Sequence, residues 1–414
     1  MKLFSSDDVP EQTYEDMITA NDVALPVLED LDISGCAITG KWLSLILRHS
    51  PTLKELNLDA CPQLKQLKIE EEGKVQSNIL PASEALSSGY LYDVSAGYAQ
   101  PRSAVDGLVH IPLNLIKIKI RACPYLIFDG CLLPQSLEQL VWSHSFLKTL
   151  QLSFVGNLTC LKKLNVSSGT LEYLQLDSCT TLEDLKIVSC NCLAALEGMQ
   201  PLRFLEISSN TRLESLRLNS CRSLERLNID GCSSLVTLEG LQSLVNLKHL
   251  EILSSSALDS LTTVESDEPI EGISSHSYDL FPALESLKVD DLSLLNMSFC
   301  KGLTCLRSLK LVCLVATRLS DDQEKALLLL RSLQELCFHA CEDLVDLPAG
   351  LGGLPSLKSL EITDCNLISG LPKEGLPPSL EELVINECSD KLSKQCRLLA
   401  TSKLEVKIDW QYVD

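Results

Sequence analysis

Cysteine and histidine supply the side chains of this sequence that could act as a nucleophile and its general base. The chain has 18 Cys and 6 His among 414 residues. Cys337 and His339 alternate along one predicted strand, and residues two apart share a face, where a thiol and an imidazole could form a Cys–His pair. A repeat described below produces the same spacing by itself and places both residues at solvent-facing positions. None of the patterns G-x-x-x-x-G-K-[ST], G-x-S-x-G, H-E-x-x-H or G-x-G-x-x-G occurs. We therefore predict no enzymatic activity and no cofactor.

Closely spaced cysteines could also hold a metal ion. The pairs Cys190 with Cys192 and Cys300 with Cys305 lack the C-x-x-C spacing that is typical of zinc ligands. We predict structural thiols and no metal site, so the positions of the cysteines must be explained by the elements that carry them.

Those elements follow from an internal repeat. The pattern Leu-x-x-Leu-x-Leu/Ile-x-x-Cys begins at residues 28, 53, 115, 182, 224, 333, 357 and 380. In the middle of the chain the first leucines stand at 115, 137, 161, 182, 202, 224 and 247, so each step is 20 to 24 residues. A nine-residue motif that ends in Cys or Asn, repeated at this period, is the leucine-rich-repeat signature. We expect the ninth-position Cys to be a buried thiol close to backbone carbonyls, at the turn after each strand.

This repeat predicts an α/β solenoid, a leucine-rich-repeat horseshoe with a parallel concave β-sheet. Weaker copies offset by about 11 residues, such as Leu171–Cys179 and Leu213–Cys221, predict strand-like segments on the convex side. Elsewhere that side is predicted to carry loops and short helices. Thr39 and the Ser320-Asp321-Asp322-Gln323 capping box indicate where two of these helices begin.

The domain organisation follows the same period. Residues 1–27 are predicted to be an N-terminal lead-in or cap, and residues 28–414 a solenoid of about 15 coils. Irregular insertions near 71–110 and 255–280 interrupt it. Such long loops are either functional excursions or disordered segments, and we predict disorder for the core of each.

Composition limits the partners. The chain has 56 Asp and Glu against 35 Lys and Arg, a formal net charge of −21. Nucleic-acid binding depends on Lys and Arg that neutralise phosphates, so we predict no nucleic-acid partner. No apolar stretch approaches the ~20 residues of a membrane-spanning helix, and the N-terminus lacks an apolar signal core. We expect no membrane span, a cytoplasmic or nuclear location, and mostly reduced cysteines.

The candidate binding surface is the concave face of the predicted sheet. Positions 2, 3, 5, 7 and 8 of each motif should point there, because strand side chains alternate. Their charges change sign repeatedly along the chain, but one region is basic: Lys117, Lys119, Arg121, Lys148, Lys162 and Lys163. Simple solvation explains any single charged residue, whereas an extended curved array of strands is what solenoids use to bind proteins. We predict protein binding by this face.

The last coils resemble a more specific class. The stretch from Leu347 through Cys365, with Leu371-Pro372 and Pro377 through Cys388, resembles the repeats of plant intracellular immune receptors of the nucleotide-binding leucine-rich-repeat class. The resemblance implies that this region recognises a pathogen effector or a guarded host protein, or holds the receptor inactive through its nucleotide-binding module. It implies no ATP binding here, because the motif of that module is not in the chain. It also implies recognition by the later coils, with these candidates: His339, Lys358, Glu361, Thr363, Asp364, Glu382, Val384 and Asn386.

Two alternatives remain open. The segment Leu28–Cys61, with its 25-residue step and convex helix, is similar to the substrate-recognition repeats of plant F-box ubiquitin ligases. No F-box segment precedes it in residues 1–27. The third possibility is a protein-interaction scaffold with no switch partner.

Overall fold

The computed structural model describes residues 28–69, 108–126, 133–143, 149–151, 158–176, 179–196, 199, 202–255 and 281–413. They belong to two compact units, Met1–Leu137 and Glu138–Asp414. The predicted lead-in at 1–27, most of the two predicted insertions, and Lys148 lie outside the described residues.

The first unit contains the beginning of the repeat. Its elements are β1 (Asp30–Ser34), α1 (Gly40–Arg48), β2 (Glu55–Asp59), β3 (Gln66–Ile69), β4 (Leu108–Ile111) and β5 (Lys117–Arg121). Strands β1, β2 and β5 pair in parallel, and β3 pairs in parallel with β4. The Thr39 hydroxyl accepts the Trp42 N–H, so α1 begins where the sequence predicts a helix. Because β4 starts at Leu108, regular structure reaches into the end of the segment predicted to be irregular.

The second unit continues the repeat through a large sheet, here called the main sheet. Its strands, in spatial order, are β6 (Gln139–Ser143), β8 (Lys163–Ser167), β10 (Asp184–Val188), β12 (Phe204–Ser208), β14 (Arg226–Asp230), β16 (His249–Leu253), β17 (Ser286–Val289), β18 (Ser308–Val312), β19 (Glu335–His339), β20 (Ser359–Thr363), β21 (Glu382–Asn386), β22 (Glu405–Ile408) and β23 (Gln411–Tyr412). All neighbours are parallel except β22 and β23, which pair antiparallel.

Shorter strands alternate along the chain with the strands of the main sheet and pair in separate small sheets. They are β7 (Thr149–Gln151), β9 (Tyr173–Gln175), β11 (Ala195–Leu196), β13 (Ser215–Arg217) and β15 (Thr237–Glu239). Strand β7 pairs with β9, and β11, β13 and β15 form a three-stranded parallel sheet. Strands β9 and β13 lie in the two weaker motif copies, which confirms the prediction of a second row of strands.

Helices replace these strands in the later coils. They are α2 (Met297–Gly302), α3 (Asp321–Leu327), α4 (Asp390–Arg397) and 3-10 helices at Leu241–Ser243, Leu292–Leu294 and Ala349–Gly353. The capping box before α3 is present as predicted. The Ser320 Oγ accepts the Gln323 N–H at 3.3 Å, and the Gln323 Oε1 accepts the Ser320 N–H at 2.9 Å.

The core is a stack of leucines in exact strand register. Leu205 pairs with Leu227, which pairs with Leu250, and each of the three is at most 2% exposed. Burying a leucine side chain contributes about 1.5–3 kcal/mol, and here each one is buried by the coils on either side. A coil therefore depends on its neighbours for stability.

The ninth-position cysteines lie where the sequence predicts them. The Cys365 Sγ is 3.3 Å from the Thr363 carbonyl oxygen and 3.6 Å from that of Phe338 in the preceding coil. Cys61, Cys123 and Cys232 show the same arrangement and are fully buried. Contact with the thiol of Cys341, followed by burial, raises the pKa of Cys365. All the cysteines in the described part of the chain are free thiols.

The eighth position adds a regular backbone feature. Its φ is positive in many coils although the residue is rarely glycine: Ala60, Ala122, Ser189, Ser209, Ser254, Cys313, Ala340, Asp364 and Glu387. In many of these coils the N–H donates to the seventh-position carbonyl of the next coil, as from Ser189 to Ser208 at 2.9 Å and from Ser209 to Asp230 at 2.7 Å. There the ladder between coils extends one residue beyond the strand. Period, strand order and buried leucines together define a leucine-rich-repeat solenoid, the predicted fold class.

Candidate protein-binding surface

The later strands present one continuous face of side chains that do not enter the leucine core. We call the outer residues of β19 to β22, with the eighth positions that follow, the late-coil face. Its central column runs through Cys337, Glu361, Val384 and Lys407, which are register partners on successive strands. The predicted candidates of the later coils all lie on or beside this face, but they are not equally accessible.

Two predicted contact residues are buried. Thr363 is 7% exposed and Asn386 is 0% exposed. The Thr363 hydroxyl is 3.3 Å from the Glu361 carboxylate, and the Asn386 Oδ1 accepts the Trp410 N–H at 3.0 Å. Alternation assigns both to the outer side of the strand, but these two side chains are covered, unlike His339 at the same motif position. Neither side chain is accessible to a partner in this structure, and docking by either residue stays an untested prediction.

Glu382 is engaged within the protein. Its carboxylate accepts hydrogen bonds from the Lys407 ammonium at 2.7 Å and from the Ser359 hydroxyl at 3.0 Å. The hydrogen bond from Lys407 is the main reason that the pKa of Glu382 is lowered. Lys407 also lies 4.7 Å from the ring centroid of Tyr412, so this corner of the face is held by several contacts.

The remaining candidates are accessible. Lys358 pairs with Glu381 at 3.2 Å, but both side chains are more than half exposed, so the pair contributes little stability. The His339 Nδ1 is 3.9 Å from the Asp364 carboxylate, and Glu361 and Val384 are half-buried. This leaves His339, Lys358, Glu361, Asp364 and Val384 as the side chains that a partner could contact.

Sequence reasoning missed the edge of this face. The Asp409 carboxylate accepts the Glu387 N–H at 3.1 Å, and Trp410 is 74% exposed. The proximity of Asp364 raises the pKa of Glu387. The repeat consensus does not continue through the last strand, so nothing in the motif marks Asp409 or Trp410 as surface residues.

The predicted basic patch is divided between the two units. Lys117, Lys119 and Arg121 lie on β5 in the first unit, where Lys117 pairs with Glu55 at 2.8 Å. Lys163 lies on β8 in the second unit and is exposed. Beside it, Lys162 pairs with Glu138 at 3.2 Å. Two of these charges, Lys117 and Lys162, are thus matched inside the protein. Lys186 with Glu206 and Lys288 with Glu251 on the main sheet are matched in the same way, each at 2.7 Å.

The Cys337–His339 pair does not form a nucleophilic site. Cys337 is only 7% exposed, which corrects the prediction that it faces solvent, while His339 is exposed. Burial, followed by the charge of Glu361, raises the pKa of the Cys337 thiol to about 12. Reactive cysteines need a lowered pKa, so this environment opposes thiolate chemistry.

Neither a metal-binding cluster nor a membrane-spanning helix occurs among the residues that the structure describes. Across the described ranges, no group of three or more His, Cys, Asp or Glu side chains could hold a metal ion. Among the helices in those ranges, none is long and apolar enough to cross a membrane.

Comparisons with known proteins do not assign the chain to a family. No protein-family model and no curated protein matches the chain. Among solved structures, a leucine-rich-repeat protein of Leptospira interrogans is 18% identical and covers 97% of this chain and 100% of its own, with a TM-score of 0.37. An internalin of Listeria monocytogenes is 16% identical and covers 93% and 87%, with a TM-score of 0.38. The functional domain of InlJ from the same bacterium, described as including a cysteine ladder, is 15% identical and covers 61% and 59%, with a TM-score of 0.29. No argument is drawn from likenesses with TM-scores this low. The repeat in the sequence and the register of the strands identify the chain as a leucine-rich-repeat region.

Proposed function

We propose that the chain is a non-enzymatic protein-recognition region whose late-coil face binds another protein. The observation that carries this proposal is the column of register partners from Cys337 to Lys407, flanked by accessible His339, Lys358 and Asp364. Parallel strands about 4.8 Å apart place such residues in a regular array that can match the surface of a folded partner. Mixed charges along this array favour selection of a partner by complementarity.

The finer proposal is that the region belongs to a plant-type intracellular immune receptor. It would bind a pathogen effector or a guarded host protein, or restrain the nucleotide-binding module of the same receptor, in the cytoplasm or nucleus. Support comes from the Leu-Pro spacing and the Cys-ending motifs between Leu347 and Cys388. A nucleic-acid partner is not part of the proposal.

One experiment separates this class from its main alternative. The transcript that encodes the chain is to be sequenced upstream of the Met1 codon. A P-loop module in the same reading frame supports the receptor, and an F-box segment contradicts it in favour of a ubiquitin-ligase substrate receptor.

Docking by the late-coil face is tested by a charge swap. Lys358→Glu combined with Glu361→Lys conserves the net charge while inverting the local pattern, and neither residue is in the core. We expect affinity capture followed by mass spectrometry to lose specific partners with this variant. The matched control is Lys301→Glu combined with Glu342→Lys, since both residues are exposed and lie outside the face. If the swap and the control capture the same proteins in the same amounts, the late-coil face is not the binding surface.

A further inference from the structure

A pocket of about 530 Å³ lies beyond the carboxyl ends of β16, β17 and β18. It is lined by the turns that follow these strands, from Ser254, Asp290 and Cys313 onward, and by Gln323 of α3. Its volume is within the range of ligand-binding clefts, which combine apolar walls with a few oriented polar groups. The pocket is separate from the late-coil face and does not depend on the function proposed for it.

The charged groups of the pocket are all carboxylates. Asp290 and Asp291 are both half-buried, and no Lys, Arg or His is among the lining residues that the structure describes. Asp290 accepts the Ser254 N–H at 2.6 Å, and the Asp291 Oδ1 accepts the Ser293 N–H at 2.8 Å. Within the described ranges neither carboxylate has an ion-pair partner, so the pocket has an unbalanced negative charge. Burial raises the pKa of Asp290, as expected for a carboxylate with little solvent and no cation.

Part of the lining is apolar and open. Val315 is 88% exposed and lies next to Leu314 and Ala316, which also line the pocket. The Gln323 Nε2 donates to the Leu292 carbonyl at 2.9 Å and so ties α3 to the loop that carries the carboxylates. A pocket lined by a carboxylate pair and by exposed aliphatic surface matches a ligand that has a cation at one end and an aliphatic stem behind it.

The geometry points to a binding site for an organic cation on an aliphatic stem, the chemistry of an arginine or lysine side chain. The cation is placed against Asp290 and Asp291, and the stem lies along Val315. The source is either a free small molecule or a basic side chain of a protein.

The exposed thiol of Cys313 at the rim provides the readout. Its alkylation by iodoacetamide is followed by peptide mass spectrometry in the full chain, with exposed Cys160 and Cys305 as reference thiols in the same sample. The probes are n-butylguanidinium, n-butanol and butyrate, and a short arginine peptide flanked by serine and glycine. We expect n-butylguanidinium to slow the alkylation of Cys313 selectively, with no effect from butanol or butyrate.

Variants then locate the contact. Asp290→Asn keeps an acceptor for the Ser254 N–H but removes the charge. It should raise the n-butylguanidinium concentration that half-protects Cys313 from alkylation about tenfold, as expected when a charge-assisted contact is lost. Asp343→Asn, at an exposed carboxylate outside the pocket, should change nothing. Protection by the free cation alone supports a small-molecule source, and protection by the peptide as well supports a protein side chain. Equal effects of cation, alcohol and anion on folded wild type, or full protection in Asp290→Asn, would overturn the proposal.

Discussion

Asn210 bonds directly to the backbone of the preceding ninth-position residue, Cys190. Its Oδ1 accepts the Cys190 N–H at 2.8 Å, while its Nδ2 lies 2.9 Å from the carbonyl oxygens of both Ile187 and Ser208. Asn210 is itself the ninth residue of its motif and is fully buried. The carboxamide thus joins two coils through three hydrogen bonds, where a thiol makes weaker contacts.

Asn210→Ala is therefore expected to be strongly destabilising. It leaves one buried N–H and two carbonyls without their partner, at a cost of about 2–3 kcal/mol in the free energy of unfolding. Asn210→Cys should cost less, because cysteine occupies this position in other coils. Urea denaturation followed by circular dichroism measures both. Asn246→Ala is the control, since that exposed side chain makes a single hydrogen bond to the Arg222 carbonyl. An equal loss of unfolding free energy in both variants would refute a stabilising role for the Asn210 hydrogen bonds.

Cys232→Ser tests the buried thiols. Cys232 is fully buried, and burial raises its pKa to about 11, so it remains a protonated, weakly polar group at neutral pH. Replacement by the more polar hydroxyl should reduce stability by about 1–2 kcal/mol. Cys305→Ser, at an exposed cysteine, should be neutral. Dithiothreitol should leave the melting temperature of the wild type unchanged, and unfolding on reduction would mean that the thiols are cross-linked.

Gly240 and Gly375 form a matched pair for backbone strain. Their φ angles are +84° and +85°, but a Cβ at Gly240 would collide with the backbone and side chain of Asn219, whereas a Cβ at Gly375 meets nothing within 4 Å. Gly375→Ala should cost about 1–2 kcal/mol, the expense of a left-handed alanine alone. Gly240→Ala adds the collision and should cost clearly more. Equal melting temperatures for the two variants would show that the turn at Gly240 relaxes freely.

Glu382 gives a prediction for pH. Its pKa lies below the ordinary 4.5, so its ionised form stabilises the fold above that pH, and this contribution disappears as the pH falls through the lowered value. Glu382→Gln should be less stable than wild type at pH 7, by up to about 1 kcal/mol for a partly exposed pair. The difference should shrink toward pH 3, in unfolding curves measured across that range. The control is Glu342→Gln, at an exposed glutamate. If the stability difference between wild type and Glu382→Gln grows on acidification, the pairing of Glu382 with Lys407 is contradicted.

Much of the fold was predictable because one motif repeats. The leucines that stack, the Cys at the ninth position and the second row of strands at β9 and β13 all follow from spacing. Accessibility was not predictable in the same way. Asn386 faces outward by alternation, yet it is fully buried, and its Oδ1 accepts the Trp410 N–H from a segment that the repeat motif does not describe. Likewise, Glu382 looks like a free charge in sequence, but register places Lys407 within reach. Both depend on contacts between coils, which a motif read along one coil does not contain.

The left-handed eighth residue has a consequence for how such a protein changes length over generations. In many coils its N–H bonds to the seventh-position carbonyl of the following coil, from Gly231 to Leu253 as from Ser209 to Asp230. Junctions that share this bond are equivalent to one another, whereas the N–H groups of Ser254 and Glu387 bond to aspartate side chains instead. Unequal recombination that removes or duplicates one whole period rejoins equivalent partners, and steps of different length, from Ser189 to Ser208 and from Gly231 to Leu253, end in the same bond. Residues 161–201 and 202–243 align almost end to end and close with Leu196-Glu197-Gly198 and Leu238-Glu239-Gly240. Such near-copies are the kind of sequence that this exchange leaves behind, with the surface free to diverge afterwards.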